Sequence, residues 1–127
     1  MVSQATPDEV GVGIERIKAM MRETGNEIED DHYGALFSFC IADTPEEAAR
    51  LAAPHMLRRR TDVSYEEFSA FGPPDQVSRL IDRYIANGAT KFVARPACPP
   101  SMMMDQLRLL ADEVVGRYHT SGGVAVA

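Results

Sequence analysis

The spacing of apolar positions changes several times along the chain, and each change marks an element. After Thr6-Pro7-Asp8-Glu9, the residues Ile14, Ile17, Met20 and Met21 recur at helical spacing. The Thr6 hydroxyl can cap the first amides, Pro7 suits the first helical position and Glu9 completes a capping box. A helix is therefore predicted from Pro7 to a stop at Gly25. Gly11 and Gly13 each weaken its opening turns by about 1 kcal/mol relative to alanine, so that end is expected to fray or shift. Residues 26–32 are polar and acidic, a loop. Gly34–Ile41 is apolar on both alternating faces except at Ser38, the pattern of a strand in a parallel sheet covered on each side. Thr44-Pro45-Glu46-Glu47 repeats the helix-start signature, and Ala48, Leu51 and Ala52 follow until Pro54 kinks or ends the helix.

Residues 61–71 are read as a connection with a short helical turn around 65–68. Gly72-Pro73-Pro74 then opens a helix in which Val77, Leu80, Ile81, Tyr84 and Ile85 fill the amphipathic template, and Asn87-Gly88 stops it. Lys91-Phe92-Val93-Ala94 reads as a strand that Arg95-Pro96 ends. Pro99-Pro100 opens a last helix whose apolar face is Met103, Leu107, Leu110 and Val114. The outcome is about two parallel strands and four helices in one domain over residues 6–119, with 1–5 and 120–127 as loose ends. Two parallel strands do not make a stable sheet, which needs about three or more. The helical faces thus exceed the sheet available to cover them, so the chain either pairs with another chain or uses unrecognised segments as extra strands, and pairing is the expectation.

Composition narrows the functional classes. The 127 residues are 45% hydrophobic and 25% charged, the balance of a soluble globular domain. The net charge of −6 argues against a nucleic-acid surface, which needs a basic field to displace counterions. No apolar run approaches the roughly 20 residues that span a bilayer, and no basic region with an apolar core opens the chain. Cys40 and Cys98 are too few for a disulfide framework, and the expectation is two reduced thiols in a cytoplasmic protein; Cys98, in a loop on the expected ligand face, retains the alternative of a functional thiol.

Arg95 is the leading candidate for chemistry. It ends a strand at the carboxyl side of a parallel sheet, where ligands of α/β proteins sit, beside the start of the last helix. There its guanidinium either holds a phosphate or carboxylate bidentately, helped by helix-end amides, or pairs with a local carboxylate such as Asp43. Thr44 reads as a helix cap. Arg58, Arg59 and Arg60 form a short basic block on an excursion that leaves and rejoins the ligand side; they are either a solvated helix end, a phosphate contact or a bridge to a partner. His32, His55 and His119 are scattered without carboxylate spacing, so no metal site is expected. Met102, Met103 and Met104 read as packing, with one facing an interface. Gly11-Val12-Gly13 is no phosphate loop, and no catalytic triad can be assembled.

The order of these motifs resembles the closing βα units of the luciferase-like monooxygenases, barrel enzymes that use flavin or the deazaflavin coenzyme F-420. The residues that carry the resemblance are Thr44-Pro45-Glu46-Glu47-Ala48, Gly72-Pro73-Pro74-Asp75-Gln76-Val77, Gly88-Ala89-Thr90-Lys91-Phe92-Val93 and the last helix over residues 107–115. The resemblance covers about residues 6–115. It implies an α/β fold that is part of a (β/α)8 TIM barrel, its last two βα units, completed by oligomerisation. It also implies a component or truncated homologue of an FMN- or F-420-dependent oxidoreductase, inactive until a second copy or another subunit supplies the missing strands. The family holds the isoalloxazine and most of the substrate on earlier strands and on an insertion that this chain lacks. Arg95 is the position carried over as a cofactor contact, with Arg58, Arg59 and Arg60 next, and no catalytic residue is assigned. The alternative is a non-catalytic dimeric α/β module that binds a protein or a small anion.

Overall fold

The computed structural model describes residues 2–28, 32–56, 60–118 and 124–126. Its centre is strand β2 (Gly34–Ile41), flanked on one side by β4 (Lys91–Pro96) in a register running from Gly34 opposite Lys91 to Phe39 opposite Pro96. Two short strands share the other edge of β2. Strand β1 (Val2–Ser3) pairs with Ala35 and Leu36, and β3 (Ser69–Gly72) pairs with Ser38 through Ile41. Strand β5 (Val124–Val126) extends the sheet beyond β4, and every pairing is parallel.

The expectation of two strands is thereby corrected. Ser69–Gly72 is too short and too mixed to announce itself by alternation, yet all four of its residues are buried beside β2. Val2–Ser3 and Val124–Val126, read from composition as loose ends, likewise pair into the sheet. The α/β class with a parallel sheet stands, and the sheet passes the size at which it can hold together without borrowed strands.

Helix α1 (Pro7–Thr24) starts where the capping box predicts: the Thr6 hydroxyl accepts from the Glu9 amide at 3.2 Å and the Thr6 amide donates to the Glu9 carboxylate at 3.0 Å. Gly25, with φ 74, ends it in the left-handed conformation that glycine adopts without strain. The glycines inside α1 do not fray it, because Val10 and Ile14 anchor the same turns in the core. Helix α2 (Pro45–Ala52) is capped by Thr44, and a 3-10 turn at Ala53–His55 takes over where Pro54 forbids further α-helix. A second 3-10 turn at Tyr65–Glu67 leads into β3. Helix α3 (Pro74–Ala86) follows Gly72, whose φ of 138 strains any other residue and where an added Cβ would press to 3.3 Å from the Pro45 Cα. The last helix comprises α4 (Met103–Leu110), a π turn (Ala111–Val115) and α5 (Gly116–Tyr118).

Alternation along the strands divides the core in two. Ala35, Phe37, Phe39, Ile41, Phe92 and Ala94 point to one face, where Val10 and Ile14 of α1, Val77, Leu80, Ile81 and Tyr84 of α3, and Leu110, Val114 and Tyr118 of the last helix cover them. Cys40, Phe71 and Ala97 point to the other, covered by Ala48 and Ala52 of α2 together with Met56 and Phe68. This sidedness follows from the handedness of crossovers. The chain moves outward from β2 to β3, then back past β2 to β4. Two right-handed connections running in opposite directions must place α2 and α3 on opposite faces. The strand order β3-β2-β4 is that of an open, doubly wound sheet, whereas a barrel would seat β3 between β2 and β4.

The last helix buries the expected Leu110 and Val114, but the rest of its face differs from the sequence reading. Met103 is 40% exposed and Leu107 is half-buried, while Gln106, Leu110 and Val114 point inward.

Candidate functional site

In an open α/β sheet the ligand crevice lies outside the carboxyl ends of adjacent strands whose following helices go to opposite faces. Here β2 and β4 meet that condition, since α2 covers one face and α4 the other. A groove of about 560 Å³ opens there, between Ala42, Leu51, Pro73 and Met102. Its charged lining is entirely carboxylate: Asp43, Glu47, Asp105 and Glu113. Such a groove repels an anion. Its floor is closed by Gln106, 2% exposed, whose amide donates to the Ile41 carbonyl at 2.8 Å and accepts from the Ile41 amide at 2.7 Å. Gln106 thereby satisfies the last backbone groups of β2 and fastens α4 to the sheet. Sequence reading passed over it, although a glutamine one turn before Leu110, on the apolar side of an amphipathic helix, is the signal that marks it.

Arg95 lies away from this groove. Its register partner is Ser38, so it projects onto the α2 face, half-buried, where it lines a small cavity with Leu36, Ser38, Met56, Phe68 and Gln4. The helix-end amides expected beside it belong to the last helix, which packs on the opposite face. Asp43, its expected ion-pair partner, is exposed at the acidic groove. Among the described residues the Arg95 guanidinium makes no hydrogen bond and no ion pair.

The basic block separates. Arg58 and Arg59 lie outside the described residues. Arg60 is occupied: it reaches both oxygens of Glu9, both oxygens of Asp62 at 2.7 and 2.9 Å, and the Gln4 carbonyl at 2.9 Å. The Arg60 hydrogen bond, with the Thr6 amide next in weight, pulls the Glu9 carboxyl down to about 2, and the same guanidinium lowers Asp62. An incoming phosphate would have to displace two carboxylates that already fill the fork, so Arg60 acts as a clamp between the chain entering α1 and the segment before β3.

Cys40 and Cys98 are both free and buried, at 0% and 2% exposure. Burial pushes the Cys40 thiol up to about 11, with Cys98 adding to the shift, and burial raises Cys98 as well. A nucleophilic role at Cys98 would require an accessible thiolate, and the surroundings favour the neutral thiol. His32 precedes β2 in an exposed position and His55 closes the 3-10 turn after α2, while His119 lies outside the described residues. Among the described residues no three His, Cys, Asp or Glu side chains are grouped to hold a metal. Met102 packs beside α2 whereas Met104 is 61% exposed.

The cavity at Arg95 measures about 30 Å³. That admits the oxygens of an anionic group and excludes a tricyclic flavin ring, whose pockets run to about 300 Å³ or more. The chain's own residues thus suit an anionic end of a ligand at Arg95 and offer no seat there for its ring. No protein-family model and no curated protein matches the chain.

Proposed function

We propose that this chain is a component of a luciferase-like oxidoreductase dependent on FMN or coenzyme F-420, supplying an anion contact at Arg95 and inactive without further strands. The observation that carries the reading is the guanidinium of Arg95 on β4, which has no partner among the described residues. A half-buried cation without a counter-ion is costly, and a ligand anion relieves that cost. The order of the Thr-Pro-Glu-Glu, Gly-Pro-Pro and Lys-Phe-Val segments supports the same assignment. In this reading a second copy or another subunit carries the flavin ring pocket. Exposed Val12 and Met20 on α1 and Met104 on α4 supply apolar surface for that assembly.

The second reading, a non-catalytic α/β module that binds a small anion, is favoured by the strand order, which needs no closure into a barrel. Spectral titration of the purified chain with FMN and with F-420, paired with light scattering over a dilution series, separates the two. Saturable binding of either cofactor that Arg95→Ala weakens at least tenfold, as loss of a charged hydrogen bond of roughly 1.5–3 kcal/mol would, supports the oxidoreductase component. Binding of neither cofactor by a monomeric chain leaves the anion module.

A further inference from the structure

Three polar residues stand in one row across the α2 face of the sheet. Ser69 of β3 is in register with Ser38 of β2, and Ser38 is in register with Arg95 of β4. Partners in parallel register project to the same side, so the two hydroxyls and the guanidinium are neighbours by construction. The Ser69 hydroxyl is buried, at 5% residue exposure, and has no hydrogen-bond partner among the described residues. Ser38 is 9% exposed and, with Arg95, lines the cavity. A buried hydroxyl without a partner beside a cation without a counter-ion is an arrangement that lacks an acceptor, and both deficits have the same sign.

We propose that the Ser69-Ser38-Arg95 row binds the carboxylate of a small apolar acid; this rests on the reading of Arg95 as an anion contact and narrows that anion to a carboxylate, which sets aside FMN, whose anionic group is a phosphate. The cavity of about 30 Å³ holds about two water-sized atoms. Two carboxylate oxygens match that space and the planar fork of a guanidinium, whereas a phosphoryl group brings further oxygens with nowhere to go. Ser38 donates to the oxygen that faces it, and the Ser69 hydroxyl, which makes no bond to Ser38 as the structure stands and does not line the cavity, rotates about its Cα–Cβ bond to donate to the Ser38 oxygen when the anion takes the Ser38 proton. Leu36, Met56 and Phe68 form an apolar mouth for a short hydrocarbon tail. At the rim stands Gln4, the one non-glycine residue among those described with a left-handed backbone, φ 59, held there by the bond from Arg60 to its carbonyl.

Calorimetric titration of the full chain with butyrate, its neutral isostere butyramide and inorganic phosphate tests the assignment without requiring any variant to fold. Butyrate should bind, butyramide should not, and phosphate should be weaker than butyrate. Among variants with unchanged thermal midpoints, Arg95→Gln should lose about tenfold or more, and Ser38→Ala and Ser69→Ala successively less. No butyrate binding at tens of millimolar, equal binding of butyramide, or tighter binding of phosphate would overturn it. If Arg95→Gln alone weakens binding and Ser38→Ala leaves it unchanged, the serine row fails while Arg95 remains an anion contact. Cofactor titrations that fail while butyrate binds would remove the oxidoreductase reading and leave this one intact.

Discussion

The two faces of the sheet are built from the same strands yet do different work. On one, Phe37, Phe39 and Phe92 interlock with Tyr84, Ile81 and Leu110, and the Phe37 and Tyr84 rings stack with centroids 6.2 Å apart. Two of its phenols are tied down, as Tyr84 donates to the Ala5 carbonyl at 2.6 Å and Tyr118 to Asp82 at 2.7 Å, while the buried Tyr33 hydroxyl has no hydrogen-bond partner among the described residues. Burial, with the Asp82 hydrogen bond next, pushes the Tyr118 phenol up to about 12. On the other face α2 offers only small side chains, Ala48 and Ala52, with Met56 and Phe68 beside them, and the row through Ser38 and Arg95 stays partly open. Large apolar side chains earn most of the stability on the first face. The thin cover of α2 on the second leaves room for chemistry, since the sheet there need not be sealed.

Neighbours in β2 test this contrast most severely. Phe37→Ala should cost about 3–5 kcal/mol through transfer and cavity terms, and Leu36→Ala, one residue earlier on the open face, less than half as much. Equal losses in urea denaturation would dissolve the distinction between the faces. Gln106→Leu removes both partners of the Ile41 backbone, and a loss of about 2 kcal/mol is expected from the buried groups left unpaired. An unchanged midpoint would mean that water replaces the amide and that the acidic groove is wetter than the geometry indicates.

The Arg60 clamp has a smaller, pH-dependent effect. Glu9 has a lowered folded-state value, so its contribution is complete above the ordinary 4.5 and is lost as the pH falls toward about 2. The difference in thermal midpoint between the wild-type chain and Arg60→Met should therefore shrink across that window. It should also shrink with salt, because the Glu9 side chain is 44% exposed. A difference that stays constant from neutral pH to pH 2 would show that Arg60 acts by packing. Smallest of all, Arg95→Gln should shift stability by no more than about 0.5 kcal/mol, the range of a side chain with no partner to lose. A larger loss would make Arg95 a structural residue and withdraw it from the site.

The local elements were legible because their causes are local. The Thr6 and Thr44 caps, the Gly25 stop, the break at Pro54 and the face of α3, apart from the exposed Ile85, each depend on residues within a turn of one another. Arg95 could be singled out as the polar end of an apolar run, and Ser38 as the one polar residue of Gly34–Ile41. Their meeting could not be foreseen, because register between strands separated by more than 50 residues is set by which faces bury together. The same limit hid β3, whose four residues carry no alternating pattern and become a strand only beside Ser38 through Ile41. It also misplaced part of the inward face of the last helix, where packing against β2 buries Gln106 beside the expected Leu110 and Val114 and leaves Met103 and Leu107 less covered. Caps, stops and apolar periods are properties of a segment and can be read from it. Strand order, the choice of covered face and the pairing or isolation of a charge depend on distant segments, and tertiary packing decides them.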